Sequence, residues 1–506
     1  MPKRLVKGGQ LLAVKSDLAS VLRNRQLQLE TLDSKHWTII GNGSIGAKAE
    51  ELRRKAWAIE QAGFTLYPRV VFAMGFFDDF KRRNEVMAAV EKGIQPNAIQ
   101  QLIRNAIFNA DELANITEIA KRFIRVPIVV RSSAHGDCRG TGIYESGYVV
   151  NSLPSLAENI DTIVSEIKVT LASEFSEDAI EFRKKCGLPP GMAVIIEPVF
   201  GIQIPDGIIS SDIPYIPRAF FFGPLYGGHG HTSTASGPGY TIISAGLPTS
   251  TVLGKGIKAV EGEDDGFLGR IPLTKKHANT ELSLICGSVV YPSGNTIMNV
   301  KLPPNAIFGM TLEWLFSRLK KLESLLGKPQ YYEFAVIEKD GNPIPALVQI
   351  ADISLSHDFY EFPNTERLVA RGTQVEQGGN ITCRDMVYVT SPGDLRLLDS
   401  FNKTHSNYIL VINCNLLSAG NKISFSYLSN AAVVAELGYK PHAASLAAHF
   451  GGSLIESGKL VLSLDELDRV KLEKYETAIC NFRVFTTNAR VIASAKQQKV
   501  IIELTD

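Results

Sequence analysis

The segment Gly41-Asn42-Gly43-Ser44-Ile45-Gly46 carries three glycines at G-x-G-x-x-G spacing, with Lys48 two residues beyond the last. Glycine backbone can approach an anion closely, and the N–H groups at a helix start point towards phosphate oxygens. An ammonium at Lys48 would reach a phosphate cradled by such a loop. Two other readings stay open. A dinucleotide-binding turn would need an acidic residue ending the next strand, and TLYPRVVFA ends without one. A plain glycine-rich turn needs no ligand at all. A second cation, Arg131, follows the run VPIVV in VRSSAHGDCRGTGIYESG. Ser132, Ser133 and Gly140-Thr141-Gly142 there offer hydroxyl and backbone donors suited to phosphate oxygens. Alone, Arg131 reads as a surface or salt-bridge arginine; together with the Gly-Lys segment it points to a polyphosphate. His229 and His231 in GGHGH could ligate a metal, but no third ligand stands at a recognisable spacing.

These groups need elements to hold them. HWTII, TLYPRVVFA, VPIVV and MAVIIEPV read as strands, being apolar or β-branched and bounded by Gly or Pro. AKAEELRRKAWAIEQAG places Leu52, Ala56 and Ile59 on one face of a helix ending at Gly63. Ser155 with Glu158 three residues on forms a capping box before a stripe of Ile160, Ile163, Ile167 and Leu171. Residues 223–256, rich in Gly, Ser, Thr and His, read as loops joining short strands. YYEFAVIEKDGNPIPALVQIADI reads as a hairpin turning at Asp340-Gly341. After EFPNTER, a polar linker, the texture becomes β-rich, with YILVINC as an apolar strand and an Ala-rich segment over 430–452.

At roughly 150 residues per domain, 506 residues suggest three or four packing units. Lys plus Arg number 53 against 52 Asp plus Glu, a net charge of +1. That leaves no bulk electrostatic footprint for nucleic acid or an anionic membrane. No apolar run approaches the about 18 residues of a membrane helix. The apolar part of MPKRLVKGGQLLAV is too short for a signal peptide, and six scattered cysteines include no C-x-x-C. The expectation is a cytoplasmic protein with no membrane or nucleic-acid partner.

GSIGAKAEEL and VPIVVRSSA resemble the Gly-Lys opening and the V-x-V-R-S-S-A motif of the pyruvate phosphate dikinase and phosphoenolpyruvate synthase family. The resemblance implies an ATP-grasp fold in which Lys48 and Arg131 contact ATP phosphates. Met192 to Val199 is similar to the family's hinge strand, putting backbone near Glu197 against adenine. YYEFA resembles D-I-E-W-A and LVQIADI resembles L-Q-S-R-P, so Glu333 and Gln349 would face Mg-ATP and hold the metal. The chemistry is sound, because Mg²⁺ takes a carboxylate together with phosphate oxygens and waters and neutralises charge during phosphoryl transfer. A solvated edge hairpin is the alternative. Lys440-Pro441-His442 and the alanines after it resemble part of the family's phosphohistidine segment, which places His442 as the nucleophile at a helix N-terminus, where a phosphoryl group is stabilised. A histidine merely opening an Ala-rich helix is the plainer reading.

The match also breaks in places. Tyr331 stands where the family has an acid, Ala351 where it has an arginine, and Lys440-Pro441 where it has T-S. A phosphoenolpyruvate-binding barrel of about 250 residues does not fit after His442, so the acceptor would be a separate small molecule or protein. The expected architecture is α/β and α+β: an ATP-grasp nucleotide-binding domain over 1–357, then a smaller swivelling phosphohistidine-type domain over 358–506. The expected activity is an ATP-dependent phosphotransferase using ATP and Mg²⁺, possible as a homo-oligomer. A degenerate nucleotide-binding regulator or scaffold is the alternative, and an NAD(P)-binding enzyme a more distant one.

Overall fold

Strong helix formers fill residues 47–61, and the positive φ of Gly63 (+88°) stops the helix they make. In the computed structural model this helix, α1 (Gly46–Gln61), lies between two sheets. The structure describes residues 37–505 apart from 125, 138–141, 150–154, 200–201, 204–220, 223–225, 246–266, 275, 277–280, 284–285, 291–296, 302–308, 340–341, 356–357, 364–365, 376, 392, 415–423, 439–451 and 478–481. Across these residues the chain is a mixed α/β protein.

The first sheet holds β1 (Trp37–Ile40), β2 (Arg69–Phe72), β3 (Ile128–Ala134), β4 (Gly147–Val149) and β5 (Met192–Pro198) in the order β1-β2-β5-β3-β4. Only β1 and β2 run parallel. The parallel pair spans α1, but the sheet is not the doubly wound parallel one of a dinucleotide fold. One face packs Val70, Ile128, Val130, Val194 and Ile196 against helices that include α2 (Met74–Arg83), α3 (Leu156–Ala172) and α4 (Glu177–Cys186). Ser155 caps α3 in the expected box with Glu158. The other face turns Val71, Ala193 and Ile195 towards Ile45 and Ala49 of the glycine loop and α1.

The second sheet is antiparallel. It contains β6 (Tyr226–Thr234), β7 (Gly237–Ala245), β8 (Phe267–Pro272), β9 (Gln330–Lys339) and β10 (Asn342–Asp352) in the order β8-β7-β6-β9-β10. The hairpin β9–β10 forms as expected, and its Asp340-Gly341 turn lies outside the described residues. The expectation of loops and short strands over 223–256 is corrected in part, because β6 and β7 are nine-residue strands paired along their length. The glycines that suggested loops serve packing. A Cβ on Gly228 or Gly230 would meet the carbonyl of Ile242 or Tyr240 at 2.2 or 2.0 Å and crowd Phe334 or Tyr332. On this sheet lies α5 (Glu313–Leu326), and α1 fills the space beside it with Leu52, Ala58 and Ile59. Polar ties reinforce that seat: buried Lys55 donates to Gln330 (2.8 Å) and pairs with Glu51 (2.5 Å) and Asp352 (2.6 Å).

Past Asp358 the chain builds a ten-stranded sheet from β11 (Leu368–Gly372), β12 (Gln374–Val375), β13 (Gly379–Val389), β14 (Tyr408–Ile412), β15 (Ala431–Leu437), β16 (Leu460–Leu464), β17 (Glu466–Leu467), β18 (Arg483–Ser494) and β19 (Lys499–Leu504), with Glu476–Thr477 pairing β18. The order β12-β16-β15-β14-β13-β18-β19-β11-β17 separates β11 from β12, although Thr373 alone joins them in sequence. The sheet therefore curls until its ends approach. A short helix beside this sheet, Phe425–Leu428, packs on α4 with Phe425 against Phe182, ring centroids 5.8 Å apart, while Asp178 accepts from the Ser424 hydroxyl and the Ser426 N–H. One apolar core runs through this contact and takes in Val130, Phe182, Leu410 and Val484.

Gly46 sets how closely α1 meets β3. Its φ is +75°, and a Cβ there would fall 1.8 Å from the Ser133 carbonyl oxygen. Gly46→Ala therefore combines backbone strain with an overlap of main chain, and should cost about 3 kcal/mol or more. A urea unfolding curve with an unchanged midpoint would contradict this placement.

Candidate functional site

Side chains alternate along a strand, so Ile128 and Val130 point into the helical core while Arg131 and Ser133 point towards α1 and the second sheet. Arg131 donates through Nη1 to Glu197 Oε1 (3.1 Å) and to the Val348 carbonyl (2.8 Å). Its Nη2 donates to Gln349 Oε1 (2.8 Å) and, at 3.4 Å, to Glu333 Oε2. One guanidinium thus joins β3 and β5 to β9 and β10. Glu333 and Gln349 are cross-strand partners, with a bulge just after Glu333. All four side chains are buried. Burial pulls the Arg131 pKa down, but Glu197 and Glu333 outweigh it and raise it above the ordinary value, so the cation is permanent.

Arg69 completes the cluster. It is buried at 1% exposure, donates from Nε to Glu197 Oε2 (2.5 Å) and from Nη2 to the Leu347 carbonyl (3.2 Å), and lies 5.4 Å from the Trp37 ring centroid. Sequence reasoning passed over it. Its one signal is a charge inside the apolar strand RVVF. Glu197, expected to offer backbone to adenine, here supplies a carboxylate to two arginines.

The two departures from the family pattern prove to be one feature. Tyr331 and Ala351 are direct cross-strand partners and both are buried, the large ring beside the small methyl. The Tyr331 hydroxyl donates to Glu333 Oε1 (2.7 Å). Burial, then the neighbouring Glu333, push the phenol pKa well up, so it stays a neutral donor. His229 and His231 stand opposite Glu333 and Tyr331 on β6, their rings 6.2 and 6.0 Å from that of Tyr331.

Lys48 is held elsewhere. Its ammonium pairs with Asp137 Oδ2 (2.8 Å) and donates to Ser132 Oγ (3.3 Å), and the same hydroxyl donates to Asp137 (3.0 Å). Ser132 is on the opposite side of β3 from Arg131, so the two expected phosphate cations lie near one strand but in separate pairs. Asp137 is wholly buried and, among the described residues, its Oδ1 has no hydrogen-bond partner. Burial pushes its carboxyl pKa up, with Lys48 opposing. Asp137 was also missed, although an acid six residues after Arg131 in a Gly-rich turn was its visible sign. The start of α1 is partly satisfied from within, since Ala49 N–H donates to Ser133 Oγ and Gly46 N–H to Ser44 Oγ, each at 3.1 Å. His442, Gly140 and Thr141 lie outside the described residues.

A carboxylate and an amide oxygen on neighbouring strands suit Mg²⁺. A cation already sits between Glu333 and Gln349 in the form of the Arg131 guanidinium, so the oxygens point to one place. Both Glu333 oxygens are engaged, however, and among the described residues no group of three or more His, Cys, Asp or Glu is arranged to hold a metal. These residues therefore fit Mg²⁺ only as minor partners to phosphate oxygens. A separate cleft of about 490 Å³ borders the outer side of the glycine loop at Gly41 and Asn42. Its Asp79, Asp111 and Glu112 make it a poor phosphate site. No protein-family model and no curated protein matches the chain.

Removing the guanidinium leaves two buried carboxylates short of a partner. Arg131→Met should lose about 3–5 kcal/mol, and Arg131→Lys should recover only part, because an ammonium cannot span four acceptors on two sheets. Chemical denaturation of the three proteins at neutral pH checks the order; equal stability of the wild type and Arg131→Met would show that the cluster does not hold the sheets together.

Proposed function

We propose that the chain is an ATP-dependent phosphotransferase of the dikinase type, with Mg-ATP lying between the first two sheets. What supports this reading is the meeting of Arg131, Glu197, Glu333 and Gln349 in one buried cluster, from segments as far as 218 residues apart. The VRSSA strand and the YYEFA/LVQIADI hairpin were expected to face one nucleotide, and their polar side chains meet at a single guanidinium.

Arg131 would bind the phosphates. Its bonds to Glu333 and Gln349 are ones a phosphate can replace, and bidentate pairing with phosphate is what a guanidinium does well. Glu197, held by Arg69, would keep the other edge of Arg131 in place. Turning Arg131 onto phosphate frees Glu333 and Gln349, the residues that would hold Mg²⁺; when bound, the metal neutralises charge across the phosphates. Lys48 would add a second cation at the glycine loop. His442 would be the nucleophile: a bond forms from an imidazole nitrogen to the β-phosphorus, the α–β bridging P–O bond breaks, and AMP leaves. His442 would then carry a pyrophosphoryl group; its terminal phosphoryl would leave to water or phosphate as the β–γ bridging P–O bond breaks, and the remaining phosphoryl group would pass from the imidazole nitrogen to a separate small-molecule or protein acceptor. The continuous core around Phe182 and Phe425 bears on this delivery, because a swivelling unit would have to part that contact.

A second reading is favoured by the Tyr331–Ala351 pair. An apolar cross-strand packing occupies the place where the family pattern has charges, as it would in a nucleotide-binding regulator that has lost transfer chemistry.

The two readings separate on a labelling experiment. With Mg²⁺ and ATP labelled at the β or the γ position, the transferase should acquire acid-labile label from both, since a pyrophosphoryl group is transferred, and His442→Ala should acquire none. Binding of ATP without any labelling of the wild type would leave the regulator. Arg131→Gln should weaken ATP binding by about tenfold or more, read by titration calorimetry.

A further inference from the structure

We infer that Asp137 is a proton-linked latch on Lys48, so that capture of Lys48 by a polyphosphate makes the protein take up a proton. This rests on the Mg-ATP reading above and adds a positioning residue to it. The ammonium of Lys48 is buried, and its charge partner is Asp137 at 2.8 Å. It cannot serve a phosphate fully while it serves that carboxylate. When Lys48 turns to the ligand, Asp137 keeps, among the described residues, the Ser132 hydroxyl and a backbone hydrogen bond from Ala134, both neutral partners. Its side chain is fully shielded from solvent, its second oxygen has no donor among the described residues, and its backbone is tied to the Ala134 carbonyl by its own N–H (3.3 Å).

A carboxylate in that position is driven towards its neutral form, because desolvation penalises the anion and, among the described residues, Lys48 is the cation that pairs with it. The groups around it bear this out. From α1 comes Lys48 itself; from the segment before β4 comes Tyr144, a buried phenol held neutral by its burial and by the charge of Asp137. Arg183 and Glu174 face Tyr144, and the His135 ring turns towards Gly191. Burial already pushes the Asp137 pKa up while Lys48 is in place, and losing Lys48 pushes it further the same way. On this inference the Lys48 ion pair keeps Asp137 ionised in the ligand-free state, and losing that pair leaves it protonated in the bound state. Binding therefore takes up a proton and is favoured as pH falls: across the window between the two Asp137 pKa values, affinity weakens by up to about tenfold per pH unit as pH rises.

The experiment is titration calorimetry of the full chain with Mg-ATP in buffers of different ionisation enthalpy, above about pH 7.5 and so clear of the terminal phosphate's own titration near about 6. The wild type should take up about one proton per ATP bound. Asp137→Asn, close in shape but unable to ionise, should bind more tightly, take up none and lose the pH dependence. Lys48→Gln provides the second line should Asp137→Asn fold poorly. Its Asp137 is already protonated, so it should bind more weakly and also take up none. Binding by the wild type without proton uptake, or equal uptake by Asp137→Asn, overturns the latch and leaves the Mg-ATP reading standing; it would make the Lys48–Asp137 pair a structural ion pair only. No binding heat from the wild type overturns both.

Discussion

One guanidinium decides how the N-terminal part of this protein is put together. Arg131 leaves β3 on the face away from the helical core and makes hydrogen bonds to a carboxylate of its own sheet and to three groups of the next. Burying a charge is costly unless it is paired and fully hydrogen-bonded. The sheets must therefore approach at the distance and register that bring Glu197, Glu333, Gln349 and the Val348 carbonyl to one point. Arg69 repeats the constraint two strands away on β2, reaching Glu197 and the Leu347 carbonyl. Around these two cations the apolar contacts of α1 with both sheets supply the bulk of the burial, while the arginines determine its geometry.

The same arrangement leaves the site formally balanced. Arg69 and Arg131 face Glu197 and Glu333, and Lys48 faces Asp137. Near-zero net charge in the whole chain thus has a local counterpart. An anionic ligand entering such a site would have to act by exchange, replacing carboxylate partners of the cations rather than meeting idle positive charge. In such an exchange each carboxylate's environment would count: Glu333 has Tyr331 to fall back on, whereas buried Asp137 has the Ser132 hydroxyl and a backbone hydrogen bond from Ala134 among the described residues.

Much of the secondary structure was legible because it depends on local pattern. The Ser155–Glu158 box, the stop at Gly63 and the hairpin β9–β10 follow from capping chemistry, left-handed backbone and alternation. The glycine-rich strands β6 and β7 were misread, because composition cannot tell a glycine chosen for turning from one chosen for space. At Gly228 and Gly230 the reason is the neighbouring backbone and the rings of Phe334 and Tyr332. Tyr331 and Ala351 looked like two separate losses, yet they face each other across one strand pair.

By itself the sequence determined which chemical groups the protein has to work with: a glycine loop with a lysine after it, an arginine closing an apolar strand, and a hairpin bearing Glu333 and Gln349. It determined most of the elements that carry them, since caps, turns and periodicity act within a few residues. Only the tertiary structure decided partners. It joined Arg131 to Glu197, Glu333 and Gln349, gave Lys48 to Asp137, and made Arg69 and Asp137 members of the site. Pairing of charges is decided by burial and distance between segments far apart in the chain, and neither quantity exists until the sheets have packed.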